Sequence, residues 1–292
     1  MVRQVVKRYS DFVRYPIVLD GETLNSMKAI WKKRQSEVEK EEYEEFYKHI
    51  SHSFEPPLET ITLKAEGRFE YSALLYLPAR APFDLVYPSF EYGPQLYVRN
   101  VKIMEHCEEL LPRYLRFVRG VVDSSDLPLN VSREILQRQG HIRVVRKGIT
   151  KKILDSLRTL QEGSPDKYLT FWREFGRVLK EGVAAAEENQ EKLVGLLQFE
   201  SSHDPEELTT LRDYVARMPE EQTAIYYLPG TSRRVVEGSP QLEAFKARGV
   251  EVLYLLDPID EFVVQGLTEF ESRPLKSAAK GTVELGTAEE RE

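Results

Sequence analysis

Apolar positions along this chain recur with two periods, and the alternation between them lays out its elements. Tyr43, Phe46, Tyr47 and Ile50 fall at i, i+3, i+4 and i+7 in an otherwise acidic stretch, which predicts an amphipathic helix. Residues 69–77 and 96–104 are rich in aromatic and branched side chains and predict strands, with 78–94 as their connection. The apolar run 117–122 predicts another strand, closed by the Asp, Ser, Pro and Asn of 123–130. Ile142, Val145, Ile149, Ile153, Leu157 and Leu160 then step by three and four, predicting a long helix whose other face carries Arg143, Arg146, Lys147 and Lys151. Ser164-Pro165 opens a further helix, with Tyr168, Phe171, Trp172, Phe175, Val178 and Leu179 as its stripe and Gly182 as its stop. Leu193, Leu196 and Leu197 mark a third. Strand 223–228, helix 239–249 and strand 250–256 predict a βαβ unit, parallel and right-handed.

Strands interleaved with helices predict an α/β (α+β) protein in which helices layer a sheet. The pattern divides it into a leading piece at 1–20, a large αβα layered subdomain at 21–160, a helical connector at 161–205 and a smaller αβα subdomain at 206–278. Residues 279–292 are polar, nearly free of large apolar groups, and are expected to be a flexible tail.

Composition narrows the functional classes. The 292 residues are 41% hydrophobic and 30% charged, as in soluble globular proteins, and the net charge of −7 does not favour nucleic acid or anionic lipid as a partner. No apolar run approaches the roughly 20 residues of a membrane span, and the first 20 residues lack the apolar core of a secretory signal. A single cysteine, Cys107, excludes an internal disulfide and suits a reducing compartment, so a cytoplasmic location is expected.

The stretch that concentrates candidate chemistry is 123–137, DSSDLPLNVSREILQ. Asn130 and Ser132 can cap a helix start, and Arg133 and Gln137, four residues apart, then share one face of its first turn. A guanidinium beside a helix N-terminus is suited to meet an anion. Taken alone, Arg133 reads first as an ordinary surface arginine paired with Glu134, Glu109 or another carboxylate. No phosphate-cradling glycine motif occurs, so the chain is not expected to hold a nucleotide by itself. His49 and His52 have no further ligands at metal spacing, Cys107 lies among Glu105, Glu108 and Glu109, which raise a thiol pKa, and neither a metal nor a catalytic role is assigned to them. The basic series Arg113, Arg116, Arg119, Arg138, Arg143, Arg146, Lys147, Lys151 and Lys152 leaves a helical nucleic-acid-binding module as the alternative reading; its plainer reading is the solvated side of helices.

The segment VRGVVDSSDLPLNVSREILQ resembles the catalytic loop in the middle segment of the heat-shock protein 90 family of ATP-dependent chaperones. AIWKKR, EEYEEFYKHI, LYLPARAPFDL, YLTFWREFGRVLKEG, YVARM and LDPIDEF follow in that family's order, so the resemblance covers roughly 5–278. It implies that Arg133 reaches the terminal phosphate of ATP bound with magnesium in an N-terminal nucleotide domain, that Gln137 supports the same loop, and that 1–20 is the tail of that domain. ATP hydrolysis would belong to the full-length protein, and this segment alone is expected to be inactive, to hold no cofactor and to begin at an artificial start. Client proteins and the nucleotide domain of the same chain are the implied partners. The full-length protein would be a homodimer and the isolated segment a monomer. Taken alone, Trp31, Phe83 with Leu85, and Phe262 are as readily core residues as partner surfaces; the resemblance implies that the apolar loop around Phe83 and Leu85 packs towards the nucleotide domain, and that Trp31 and Glu261, Phe262 and Gln265 contribute to client contact.

Overall fold

The computed structural model describes residues 2–67, 69–127 and 140–279. The chain separates into two compact units, 1–174 and 175–292, so the division falls inside the stretch expected as a connector.

The first unit is built on a five-stranded sheet of β3 (Glu59–Ala65), β4 (Tyr71–Leu77), β5 (Gln95–Val98), β6 (Val101–Met104) and β7 (Arg119–Ser124), ordered β3-β4-β7-β5-β6. Only the β5–β7 pair is parallel. A short hairpin of β1 (Val18–Leu19) and β2 (Glu22–Thr23), preceded by α1 (Val2–Tyr9), stands before it. The stretch 96–104, expected as one strand, is a hairpin: Arg99 and Asn100 both take positive φ, 51° and 68°, which turns β5 back as β6. β3 was not anticipated, although Thr60, Ile61, Thr62 and Leu63 alternate as an edge strand does.

β4 is buried along its whole length because helices cover both faces of the sheet. Leu74 and Tyr76 face α2 (Lys40–Ser51), whose Tyr43, Phe46 and Tyr47 are buried as their spacing predicts. On the other face Tyr71 approaches α3 (Gly140–Gly163) at Gly148, where a Cβ would overlap the tyrosine hydroxyl. α2 opens with a reciprocal cap between Glu39 and Glu42 and stops at His52 in the left-handed region. Gly120 has φ 141°, and a Cβ there would overlap the Leu74 carbonyl, so the β4–β7 pairing requires glycine.

α4 (Pro165–Ala184) begins in the first unit and ends in the second. The second unit contains α5 (Gln190–Leu196), β8 (Glu200–Ser201), α6 (Leu211–Arg217), β9 (Ile225–Pro229), α7 (Arg233–Glu237), α8 (Glu243–Ala247), β10 (Val252–Leu255), α9 (Asp260–Gly266), β11 (Glu269–Phe270) and β12 (Arg273–Ser277). Its sheet runs β11-β12-β9-β10-β8, and β9 pairs in parallel with both β10 and β12. The βαβ unit is therefore present, with an extra turn of helix, α7, not foreseen from the periodicity. The Tyr214 hydroxyl ties α6 to this sheet: it donates to the Glu251 carbonyl at 2.5 Å and accepts from the Tyr226 N–H at 3.1 Å and Gln222 Nε2 at 3.0 Å.

Candidate functional site

Arg133 and Gln137 lie outside the described residues, and so does Arg138. What the structure describes is how the chain is held on either side of them. β7 lies in the middle of the sheet and carries the chain towards that stretch; α3 resumes at Gly140.

The outgoing end is fixed by Asp123, which is 0% exposed. Its Oδ2 accepts from Trp31 Nε1 at 3.0 Å and from the Asn100 N–H at 3.2 Å, and Lys32 Nζ stands 3.2 Å from Oδ1. Burying a carboxylate is costly unless donors and a counter-charge surround it, and here two segments, the 30–32 turn and the β5–β6 turn, supply them. Trp31 is itself locked in an aromatic cluster, with ring centroids 4.9 Å from Phe12, 5.0 Å from Tyr97 and 5.6 Å from Phe46. Three residues further on, Asp126 Oδ2 accepts from the Glu70 N–H at 2.7 Å, and Ser124 Oγ donates to the Glu70 carbonyl at 3.0 Å. Arg99 Nε donates to the Ser125 carbonyl at 3.3 Å.

The returning end is held against the same point. His141 Nε2 lies 3.8 Å from Asp126 Oδ2, and its ring packs on Phe69 at 3.6 Å between centroids. Burial lowers the His141 pKa, and Asp126 opposes that shift. The two ends thus meet at Asp126, a pairing that spacing does not reveal because Asp126 and His141 are far apart in sequence.

The expected partner surfaces divide. Phe83 is 88% exposed. Leu85, two residues on, is 3% exposed, and its carbonyl accepts from Nε of the buried Arg116 at 2.8 Å, so Leu85 anchors the connection that presents Phe83. Ala81 is held too, its N–H donating to Glu174 Oε2 at 2.8 Å. Trp31, 3% exposed, offers no surface; its ring is needed by the aromatic cluster and its N–H by Asp123. In the second unit Glu261, Phe262 and Gln265 are exposed on α9, Phe262 at 56%. The helix is oriented by its other side, where buried Asp260 meets Lys180 Nζ at 2.8 Å and Val263 enters the core. Burial raises the Asp260 pKa, opposed by Lys180.

The basic series does not form one surface. Arg116 is buried, the Arg119 guanidinium lies 5.1 Å from the Phe90 ring centre with its pKa lowered by burial, and Arg143, Lys147, Lys151 and Lys152 are exposed along α3. Arg116 is thereby lost to any shared basic surface, while the exposed residues of α3 fit the solvated helix face of the plainer reading. Cys107 is fully buried and its thiol is pushed up by burial and Glu109. Among the described residues no group of three His, Cys, Asp or Glu side chains is placed to hold a metal ion, and no helix is long and apolar enough to cross a membrane. Sequence reasoning missed Lys32, Asn100 and Lys180, gave Asp123 only the ending of a strand, and placed the buried Arg116 in a solvated basic series. The one available signal was a charged residue placed within or beside an apolar run.

Comparison with known proteins gives a consistent result. The family model described as Hsp90 protein matches residues 18–292. The chain is 50% identical to a protein of Streptomyces coelicolor named Chaperone protein HtpG, over 99% of this chain and 48% of that protein. It is 52% identical to proteins of the same name from Geobacter sulfurreducens and Salinispora tropica, again over 99% of this chain and over 49% and 48% of theirs. The chain spans about half the length of the curated relatives it matches.

Proposed function

The chain belongs to the Hsp90 protein family, and from that premise we propose that it works as the middle segment of an ATP-dependent molecular chaperone. In this reading Arg133 meets the terminal phosphate of ATP held by an N-terminal domain of the same full-length protein, and Gln137 steadies the stretch that carries it. ATP and its magnesium ion supply the phosphoryl group to be transferred and part of its charge neutralisation. Negative charge grows on the transferred oxygens, so a guanidinium placed there in advance stabilises the transition state more than water does. Arginines in this role elsewhere contribute roughly 10³–10⁵ in rate, about 4–7 kcal/mol.

The reading extends to partly unfolded client proteins, met by Glu261, Phe262 and Gln265 in the second unit, while Phe83 in the first unit packs towards the nucleotide domain. The exposure of Phe83 and Phe262 supports it, since a large apolar side chain standing in water is open for a partner to cover. The full-length protein would be a cytoplasmic homodimer, with this segment monomeric in isolation.

The observation that carries the proposal is the family match over 18–292 together with the SREILQ stretch at 132–137. The test mixes this chain with the separately produced nucleotide-binding domain and ATP and follows phosphate release, wild type against Arg133→Ala. Turnover should need both parts and collapse in the variant, with the melting temperature of the chain unchanged. Equal turnover by the variant removes Arg133 from the mechanism, and turnover by this chain alone overturns the division of labour.

A further inference from the structure

The outer edge of the first unit's sheet is β3, which among the described residues makes its backbone ladder only with β4. A free edge presents a row of N–H and C=O groups to its surroundings, and proteins usually blunt it with a bulge, a proline, a very short strand or a cover. β3 has none of the first three. Its seven residues run in unbroken register with β4, from Glu59 opposite Leu77 to Ala65 opposite Tyr71.

A groove follows this edge on the α2 side. Two cavities of about 330 and about 720 Å³ adjoin there and share Gln35, Tyr43 and Thr62. The chain on the far side of the groove touches β3 only through β3's side chains: Lys64 Nζ donates to the Lys32 carbonyl at 2.9 Å and Thr62 Oγ1 lies 3.4 Å from Gln35 Oε1. Neither contact uses a backbone group of the strand. The smaller cavity is lined by Lys33, Arg34 and Lys64 and by no carboxylate. Lys33 faces Glu42 at 3.6 Å, whereas Arg34 and Lys64 are exposed, Lys64 bonding the Lys32 carbonyl already named.

We propose that the outer edge of β3 takes up an extended polypeptide segment as an added strand. Alternate apolar side chains seat in the groove beside Thr60 and Thr62, and an acidic residue at one end faces Arg34 and Lys64. Main-chain pairing tolerates many sequences, while the groove and the two cations set register and direction, which suits a site for segments of unfolded proteins. The inference rests on the client-binding reading and assigns it a place separate from Phe83 and Phe262.

The test uses fluorescent peptides of about seven residues, the length of β3, alternating Val and Thr and ending in Asp-Glu, titrated against the whole chain. Two further sets carry N-methyl groups on the amides of one edge or of the other. One methylated set should lose roughly tenfold or more in affinity, since its ladder bonds are removed, while the other binds as the parent does. The exposed-residue variant Arg34→Glu with Lys64→Glu should weaken the acidic peptides and favour ones ending in Lys-Lys. No binding of the parent peptide, equal behaviour of the two methylated sets, or indifference to charge reversal overturns the proposal. If the peptides fail while an unfolded protein still binds through Phe262, only this inference falls. If the unfolded protein fails as well, the client-binding reading falls with it.

Discussion

Asp123 shows how much one buried side chain organises. It joins the end of β7, the aromatic cluster through Trp31 and the β5–β6 turn through Asn100. Lys32 is partly exposed and can return to water when its partner is lost, so the cost of Asp123→Ala lies mainly in two stranded donors, the Trp31 and Asn100 N–H groups. Each costs about 1–3 kcal/mol, which predicts a loss of roughly 2–6 kcal/mol in urea unfolding. His141 predicts a pH dependence. Its pKa is lowered in the folded state from the ordinary 6.5, so below that value the unfolded chain binds the proton more readily. Stability contributed by neutral His141 is complete above about pH 6.5 and declines as pH falls through the folded pKa. Unfolding measured between about pH 7.5 and 5.5 should show a smaller decline in His141→Gln than in the wild type, and a steeper one in Asp126→Asn, where the opposing charge is gone. Identical pH profiles for all three would remove His141 as the cause.

At the scale of elements, the sheet of the first unit depends on close approach of β4 and β7. Gly120→Ala places a methyl group on the Leu74 carbonyl and forces a φ that an L side chain rarely adopts. Strain and overpacking together predict a loss of about 2–4 kcal/mol, read by chemical denaturation. A change below about 0.5 kcal/mol would mean that the strands can separate at that point without cost. In the second unit the corresponding junction is the Tyr214 hydroxyl. Tyr214→Phe leaves the Tyr226 N–H, Gln222 and the Glu251 carbonyl without their shared partner, and a loss of about 1–3 kcal/mol is expected with the fold retained. Helices were legible in sequence where one face is apolar and the other charged, as in α2 and α3. β3 and the Arg99-Asn100 turn were not, because strand edges and tight turns are set by which segments lie alongside.

For the whole molecule, the two units each present one prominent exposed aromatic of the expected partner surfaces, Phe83 and Phe262. Phe262→Ser should change the stability of the chain by less than about 0.5 kcal/mol, since more than half of the residue is exposed. Capture of a partly unfolded protein should weaken in that variant; unchanged capture would take α9 out of the client surface. The same experiment with Leu85→Ser should instead lower the melting temperature, because Leu85 anchors its connection from within.

The residue order alone determined the mixed α/β class, the helical periods, the βαβ unit and the family, because these rest on local spacing and on motifs that follow one another along the chain. It also pointed to 123–137 as the stretch of interest. Which side chains face outward was decided by packing: the resemblance implied partner surfaces at Trp31 and Leu85, which are buried, and at Phe83 and Phe262, which are exposed. The carboxylate at 123 and the histidine at 141 acquired their roles only when Trp31, Lys32, Asn100 and Asp126 were brought beside them. Burial and long-range pairing depend on contacts between residues distant in sequence, and no local pattern encodes them.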